Sequence, residues 1–325
     1  MDAKKRTCSD CGDATRREFL KTTTALAAAA AIGAPSILRA STADGPEALA
    51  RAFHKSLTDE QRKAVAFPWD HANRMKVMNN WEIVPQQIGK FYTPDQQQLV
   101  RDIFKGLVSP EGHERFMKAM KDDYGGIESY HVATFGDPAT DTFAFVMTGR
   151  HLTIRCDADA EPGAVFGGPV FYGHAVEFTE KPDHPGNVWW PQSRLANKIY
   201  GSFDGKQREA ALVEKSLPDN ARSVRIRKPE ERTGIAVATL SADQKALVGQ
   251  CLKDLLSMYR ASDVAEAMKF VDETGGVDAL HLAFYKEGDT GEDQVWDRWI
   301  VQGPAMTWYF RGSPHVHTWV NFQKA

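Results

Sequence analysis

The stretch "AMTWYFRGSPHVHTWVNF" (305–322) decides how the chain is read. Two runs rich in β-branched and aromatic residues, 305–312 and 315–322, are split by turn residues, the pattern of adjacent strands. The second run carries His315 and His317 one residue apart. In a strand, residues i and i+2 point to the same face about 7 Å apart. The two imidazoles therefore share a face, opposite Val316 and Thr318.

Working outward, "DALHLAFYK" (278–286) and "DQVWDRWIVQG" (293–303) complete a C-terminal strand block. A second block, "SYHVATFG", "TFAFVMTG" and "RHLTIRCD", spans 129–157 and reads as an antiparallel meander. The rest is helical. "PEALARAFHKSL" (46–57) and "LTDEQRKAVAF" (57–67) come first, the latter with Thr58 as N-cap and Gln61 as reciprocal partner. "TPDQQQLVRDIFKGLV" (93–108) has Thr93 as cap, Pro94 in its first turn and Leu99, Ile103 and Leu107 at helical spacing. "GHERFMKAMKDDYGG" (112–126) stops at a glycine pair. Helix returns at 195–215, at 241–260 with Ser241 as cap, and at 263–276. Helices and strands fall in blocks, which predicts an α+β fold. Its sheet is expected to be mostly antiparallel, built from the central and C-terminal strand blocks with helical segments around it. No internal repeat is visible.

The first residues belong to a different object. "TRREFLK" (15–21) sets Arg16 beside Arg17 ahead of an alanine-dominated apolar run that ends near Pro35. A charged segment, a short apolar run and small residues at Ser41 and Ala43 together describe an export signal, and the arginine pair assigns it to the twin-arginine machinery. Residues 1–43 are read as that signal and 44–325 as a single α+β domain, exported to the periplasm or beyond. Cys8 and Cys11 leave with the signal. Cys156 and Cys251 remain, either as two buried thiols or as a pair in an oxidising compartment.

Of the 325 residues, 40 are Lys or Arg and 43 are Asp or Glu, and the excess of acid grows once the basic leader is set aside. That balance excludes nucleic acid as a partner, and no later apolar run is long enough for stable membrane insertion.

"TGRHLTIRCD" (148–157), "FGGPVFYGHA" (166–175), "HPGNVWW" (184–190), "IVQGPAMTWYF" (300–310) and "HVHTW" (315–319) are similar to the motif series of a bacterial and fungal family catalogued as domain of unknown function 3500. The paired terminal histidines are its most specific element. The resemblance covers nearly all of residues 44–325 and implies no activity.

An HxH pair on one strand face can bind a metal if other elements supply more ligands. His151 in "RHLTIRCD" and His174 in "FYGHAVEF" are the expected partners, and His131 could face the same surface. A set of His151, His174, His315 and His317 suits zinc, copper or iron. Against it stands the plainer alternative: each histidine taken alone is more often structural, and an HxH on an edge strand can simply bond to neighbouring backbone. Glu177 and Asp157 are the nearest carboxylates for a general base, and Arg150 or Arg155 could clamp an anionic substrate. Tryptophans 189, 190, 296, 299, 308 and 319 are expected mainly in the core. Trp319 shares the face of His315 and His317 and is the one placed to wall a pocket. The chain has no GxSxG elbow, P-loop, GxGxxG or HExxH. Two functions follow: a periplasmic metalloenzyme, hydrolytic rather than oxidative, or a non-catalytic protein that captures a small-molecule ligand.

Overall fold

A computed structural model describes residues 45–157, 160–175, 187–290 and 295–324. The export signal read in residues 1–43 lies outside the described residues. Among the described residues, eleven strands form one sheet: β1 (Ala66–Phe67), β2 (His131–Gly136), β3 (Phe143–Gly149), β4 (Leu152–Cys156), β5 (Val170–His174), β6 (Leu212–Val213), β7 (Ile235–Ala236), β8 (His281–Tyr285), β9 (Arg298–Gln302), β10 (Met306–Arg311) and β11 (Val316–Phe322). Their order is β1-β2-β3-β4-β5-β11-β10-β9-β8-β6, with β7 also paired to β8. All pairings are antiparallel except β1 with β2 and β6 with β8. The α+β class and the antiparallel sheet agree with the sequence reading, and the two strand blocks meet where β5 pairs with β11.

The helices are α1 (Gly45–Ser56), α2 (Asp59–Val65), α3 (Ile88–Phe91), α4 (Pro94–Leu107), α5 (Pro110–Tyr124), α6 (Trp190–Gly201), α7 (Gly205–Ala211), α8 (Ala242–Leu256) and α9 (Ala261–Glu273). Thr58, Thr93 and Ser241 are the N-caps expected; Thr58 forms the expected capping box with Gln61, and Thr93 and Ser241 form one as well, with Gln96 and Gln244. The helical stretch expected at 195–215 is found as α6 and α7, divided where Asp204 opens a new capping box with Gln207. None of the described helices is long and apolar enough to cross a membrane.

Strand alternation sorts the core into two faces. Val316, Val320 and Phe322 join Tyr172, Leu152, Ile154 and Trp308 in a large core under the helices. Phe171, Trp319, Tyr309 and Ile300 point the other way, into a smaller core closed by Val77 and Val224 from loops. Tryptophans 189, 190, 299, 308 and 319 are fully buried and Trp296 is half-buried against the same core; Trp189 and Trp190 stand at the start of α6 and the others of the buried set are on strands.

A repeat that the sequence does not display is plain in the architecture. α2 runs directly into β1, and α7 runs directly into β6. β1 lies parallel to β2 and β6 to β8, the first long strand of each half. Each half then has a capping-box helix (α4, α8) and a second helix (α5, α9). A glycine pair (Gly125-Gly126, Gly275-Gly276), a 3-10 turn and four strands follow. Even the caps interlock in the same way. The side-chain amides of Gln61 and Gln96 exchange hydrogen bonds of 2.9 Å, and those of Gln207 and Gln244 exchange bonds of 3.1 and 2.8 Å. The strand order is therefore palindromic about the β5–β11 pair, which lies on a pseudo-twofold axis. The halves share caps and glycines but few packing side chains, and connections of different length shift them out of register. A linear comparison misses them for that reason.

Candidate metal centre

The site is built where the β3–β4 turn leans over β5 towards the start of β11. Sequence periodicity places His151 in a strand; the structure puts it in the turn, with φ of 56°, a conformation uncommon outside glycine. Bonds on both sides hold it there. The His151 N–H donates to the Asn79 carbonyl at 3.0 Å, and the Gly173 N–H donates to the His151 carbonyl at 3.1 Å. Tyr130 Oη donates to the Arg150 carbonyl at 2.7 Å.

Between His151 and His317 sits Gly173, paired in register with His317. A Cβ at Gly173 would lie 2.3 Å from the Val316 carbonyl, 3.2 Å from His317 Cδ2 and 3.3 Å from His151 Cγ. Only glycine lets the two imidazoles close over β5.

Three ring nitrogens converge. His317 Nε2 is 3.2 Å from His151 Nε2 and 2.9 Å from His315 Nε2. One ligand atom from each histidine falls within 4.8 Å of the others. Behind two of the rings are carboxylates. Asp123 Oδ2 is 2.6 Å from His151 Nδ1, and Asp219 Oδ2 is 2.8 Å from His317 Nδ1. Asp123 also takes the Ala175 N–H at 2.8 Å, and Asp219 is held by Arg311 at 2.6 Å and by the Trp319 indole at 2.9 Å.

These contacts set the protonation. An ionised carboxylate can only accept, so each Nδ1 carries the proton and each Nε2 presents its lone pair. Burial alone would raise the Asp219 carboxyl, but the His317 hydrogen bond, the nearby Arg311 and the Trp319 indole outweigh it and bring it down to about 2. Burial, with its neighbours His317 and Arg311, lowers His315 to about 3. Burial also lowers His317, to about 4, against the opposing pull of Asp219. Both are neutral at pH 7. The Nε2 atoms of His151 and His317 stand 3.2 Å apart, so a shared proton or a metal cation must lie between them. Around a tetrahedral ion with bonds of about 2.0–2.1 Å, two ligand nitrogens lie roughly 3.3–3.4 Å apart. The His151–His317 separation of 3.2 Å is close to that, and the His315–His317 separation of 2.9 Å is somewhat shorter. His151 and His317 are buried and His315 is half-buried, so three histidines could hold a metal ion reached from one side.

The fourth expected ligand is elsewhere. His174 follows Gly173 by one residue and pairs with Val316, which puts it on the helix face of the sheet. Fully buried there, its Nε2 lies 3.3 Å from Asp122 Oδ2. The expected four-histidine set is therefore a set of three. Asp157 also falls away from the site. It stands at the far end of β4, six residues and roughly 20 Å along the strand from His151, and its Oδ2 accepts the Glu161 N–H at 2.9 Å. Arg155 is a buried brace that donates to the carbonyls of Arg74, Lys76 and Pro169. Arg150 does adjoin the site; its charge is one of those acting on His315. Its buried Nε has no hydrogen-bond partner among the described residues. His131 is bound to the Gln86 carbonyl at 3.1 Å, apart from the trio. Glu177 lies outside the described residues. Cys156 and Cys251 are buried free thiols, and burial pushes Cys251 up to about 12.

Asp123 and Asp219 escape a motif search. Asp123 does leave a trace, since Asp122 and Asp123 occupy the last turn of α5, where the helix dipole favours cations instead. Asp219 sits in a loop, in "LPDN", with no local signal.

A family model described as "Protein of unknown function (DUF3500)" matches residues 39–322. The chain belongs to that family. The matched span of this DUF3500 chain contains all three histidines and both carboxylates. Neither the curated proteins nor the solved structures give a match.

Replacing Asp123 or Asp219 by Asn frees the imidazole tautomer and weakens the orientation of the ligand. Each substitution is expected to lower zinc affinity by about 10–100-fold, measured by competition with a chromogenic chelator. His174→Asn should leave affinity within about twofold of the parent, because it sits across the sheet. A His174→Asn loss as large as that of Asp219→Asn would contradict the three-histidine geometry.

Proposed function

We propose that this DUF3500 protein is a metal-dependent enzyme of the periplasm or extracellular space, with hydrolysis favoured over oxidation. The observation that carries the reading is the convergence of three Nε2 atoms, two of them with Nδ1 fixed by a carboxylate. Three imidazoles with a fourth position open to one side form a donor set suited to activating water. Zinc fits best, and copper and iron accept the same ligands. A bound ion would supply Lewis acidity and lower the pKa of water at that position.

The protein supplies the rest. Asp123 and Asp219 fix the ring orientations and compensate part of the ion's charge. Arg150, in the turn beside His151, is positioned to pair with an anionic substrate group. We assign the general base to Glu177, two residues past Ala175 in the sequence. Asp157 is not assigned that role, because its place at the other end of β4 removes it from reach. The Arg16-Arg17 leader is the basis for placing the protein outside the cytoplasm through the twin-arginine machinery. Arg16→Lys/Arg17→Lys is expected to leave the protein in the cytoplasmic fraction, and normal export of that variant would refute the assignment.

Elemental analysis of the purified protein should find about one zinc, copper or iron per chain, falling to background in the His315→Ala/His317→Ala variant. An ester such as 4-nitrophenyl acetate should then be hydrolysed by the loaded protein. Turnover should disappear with chelator, return with zinc, and fall about 10²–10⁴-fold in Glu177→Gln without loss of metal. A loaded protein that turns over neither esters nor oxidisable substrates would leave a non-catalytic small-molecule capture protein in place of the enzyme. A metal-free, folded chain would sink the metalloenzyme reading and leave a non-catalytic protein that captures a small molecule.

A further inference from the structure

On the histidine face of the sheet, astride the β5–β11 pair, is a cavity of about 470 Å³. That volume is in the range of small-molecule sites. Its position follows from the internal repeat. One wall is residues 75–79 and the opposite wall residues 220–224, which include a 3-10 turn; the two segments occupy equivalent places in the two halves. The base is Pro169, just ahead of β5, and Trp319 on β11. The lining is largely apolar: Met75, Val77, Met78, Val224 and Trp319 contribute to it, and Val77, Val224 and Trp319 belong to one core cluster. Trp319 in turn packs on Phe171 with ring centroids 4.5 Å apart.

The cavity shares its walls with the metal centre. Asn79, which lines it, accepts the His151 N–H through its carbonyl at 3.0 Å. Asn220, on the opposite wall, follows Asp219, the carboxylate that orients His317 and accepts the Trp319 indole N–H at 2.9 Å. Trp319 is two residues from His317 on the same strand face, about 7 Å along β11. The walls are also pre-set. The buried Arg155 guanidinium ties the carbonyls of Arg74, Lys76 and Pro169 together and so holds the first wall against the base. A wall fixed in this way spares a ligand the cost of ordering it.

We propose that this cavity is the specificity pocket of the metal centre. It takes the apolar, preferentially aromatic, body of a small molecule whose carboxylate, ester or similar oxygen head lies at the open side of the trio. The aromatic preference comes from the two half-buried methionine thioethers, Met75 and Met78, which pack well against ring edges; Trp319, itself buried, backs the pocket from the core. The inference rests on the metal reading, and its test separates the two.

Zinc-loaded full-length protein is titrated by calorimetry with acetohydroxamate and benzohydroxamate, two probes with the same metal-binding head. Benzohydroxamate is expected to bind at least tenfold more tightly. In Ala221→Trp, which places a ring at the exposed edge of the cavity, that advantage should shrink to less than threefold, while one zinc per chain confirms an intact site. Equal affinities for the two probes in the parent protein, or a full phenyl advantage in Ala221→Trp, would overturn the pocket and leave the metal centre standing. A chain that takes up no zinc would overturn both.

Discussion

The hydrogen-bonded pairing of β5 with β11 is the constraint on which the rest of the structure depends. It is the seam between two half-sheets, each of which would otherwise end in an exposed edge. Val170, Tyr172, Val316 and Val320 interleave on its helix face, while Phe171 and Trp319 close the other. The same register sets Gly173 opposite His317 and lets the β3–β4 turn deliver His151 from the first half to the histidine pair of the second. A slip of one residue would send His317 to the helix face. Fold and site are thus fixed by one set of backbone bonds.

The site carries an electrostatic cost that the fold tolerates. A histidine in the left-handed region is worth about 1–3 kcal/mol of strain, and burying imidazoles with unsatisfied lone pairs adds to it. Well-packed apolar side chains would be more stable in these positions. What the arrangement gains is a rigid set of donors. The turn is tied to Asn79 and Gly173, and the carboxylates fix two rings from behind. Arg311 and Trp319 then fix the carboxylate of Asp219. Such layers around a ligand set are what keep it at metal-binding distance.

Much of this was legible in the sequence, and the exceptions have identifiable causes. Period-two patterning gave the strand blocks, and side-chain chemistry gave the caps at Thr58, Thr93 and Ser241. The HxH spacing gave a shared face for His315 and His317. β5 was hidden because Val170-Phe171-Tyr172-Gly173-His174 is buried on both faces and does not alternate. Without that strand, nothing showed that His174 and Gly173 differ in parity, and His174 was drawn into the ligand set. Asp219 comes from a loop whose sequence position says nothing about its reach. The internal repeat was invisible because what the halves share is topology, caps and glycine pairs. Those features survive extensive change in packing residues.

The most direct test of the central claim is the X-ray absorption spectrum of the zinc-loaded protein at the metal edge. The account predicts three nitrogen ligands at about 2.0–2.1 Å with imidazole scattering and one or two oxygens completing the shell. A shell of oxygens alone, or one that is unchanged in His151→Ala, would show that the three histidines do not form the metal centre.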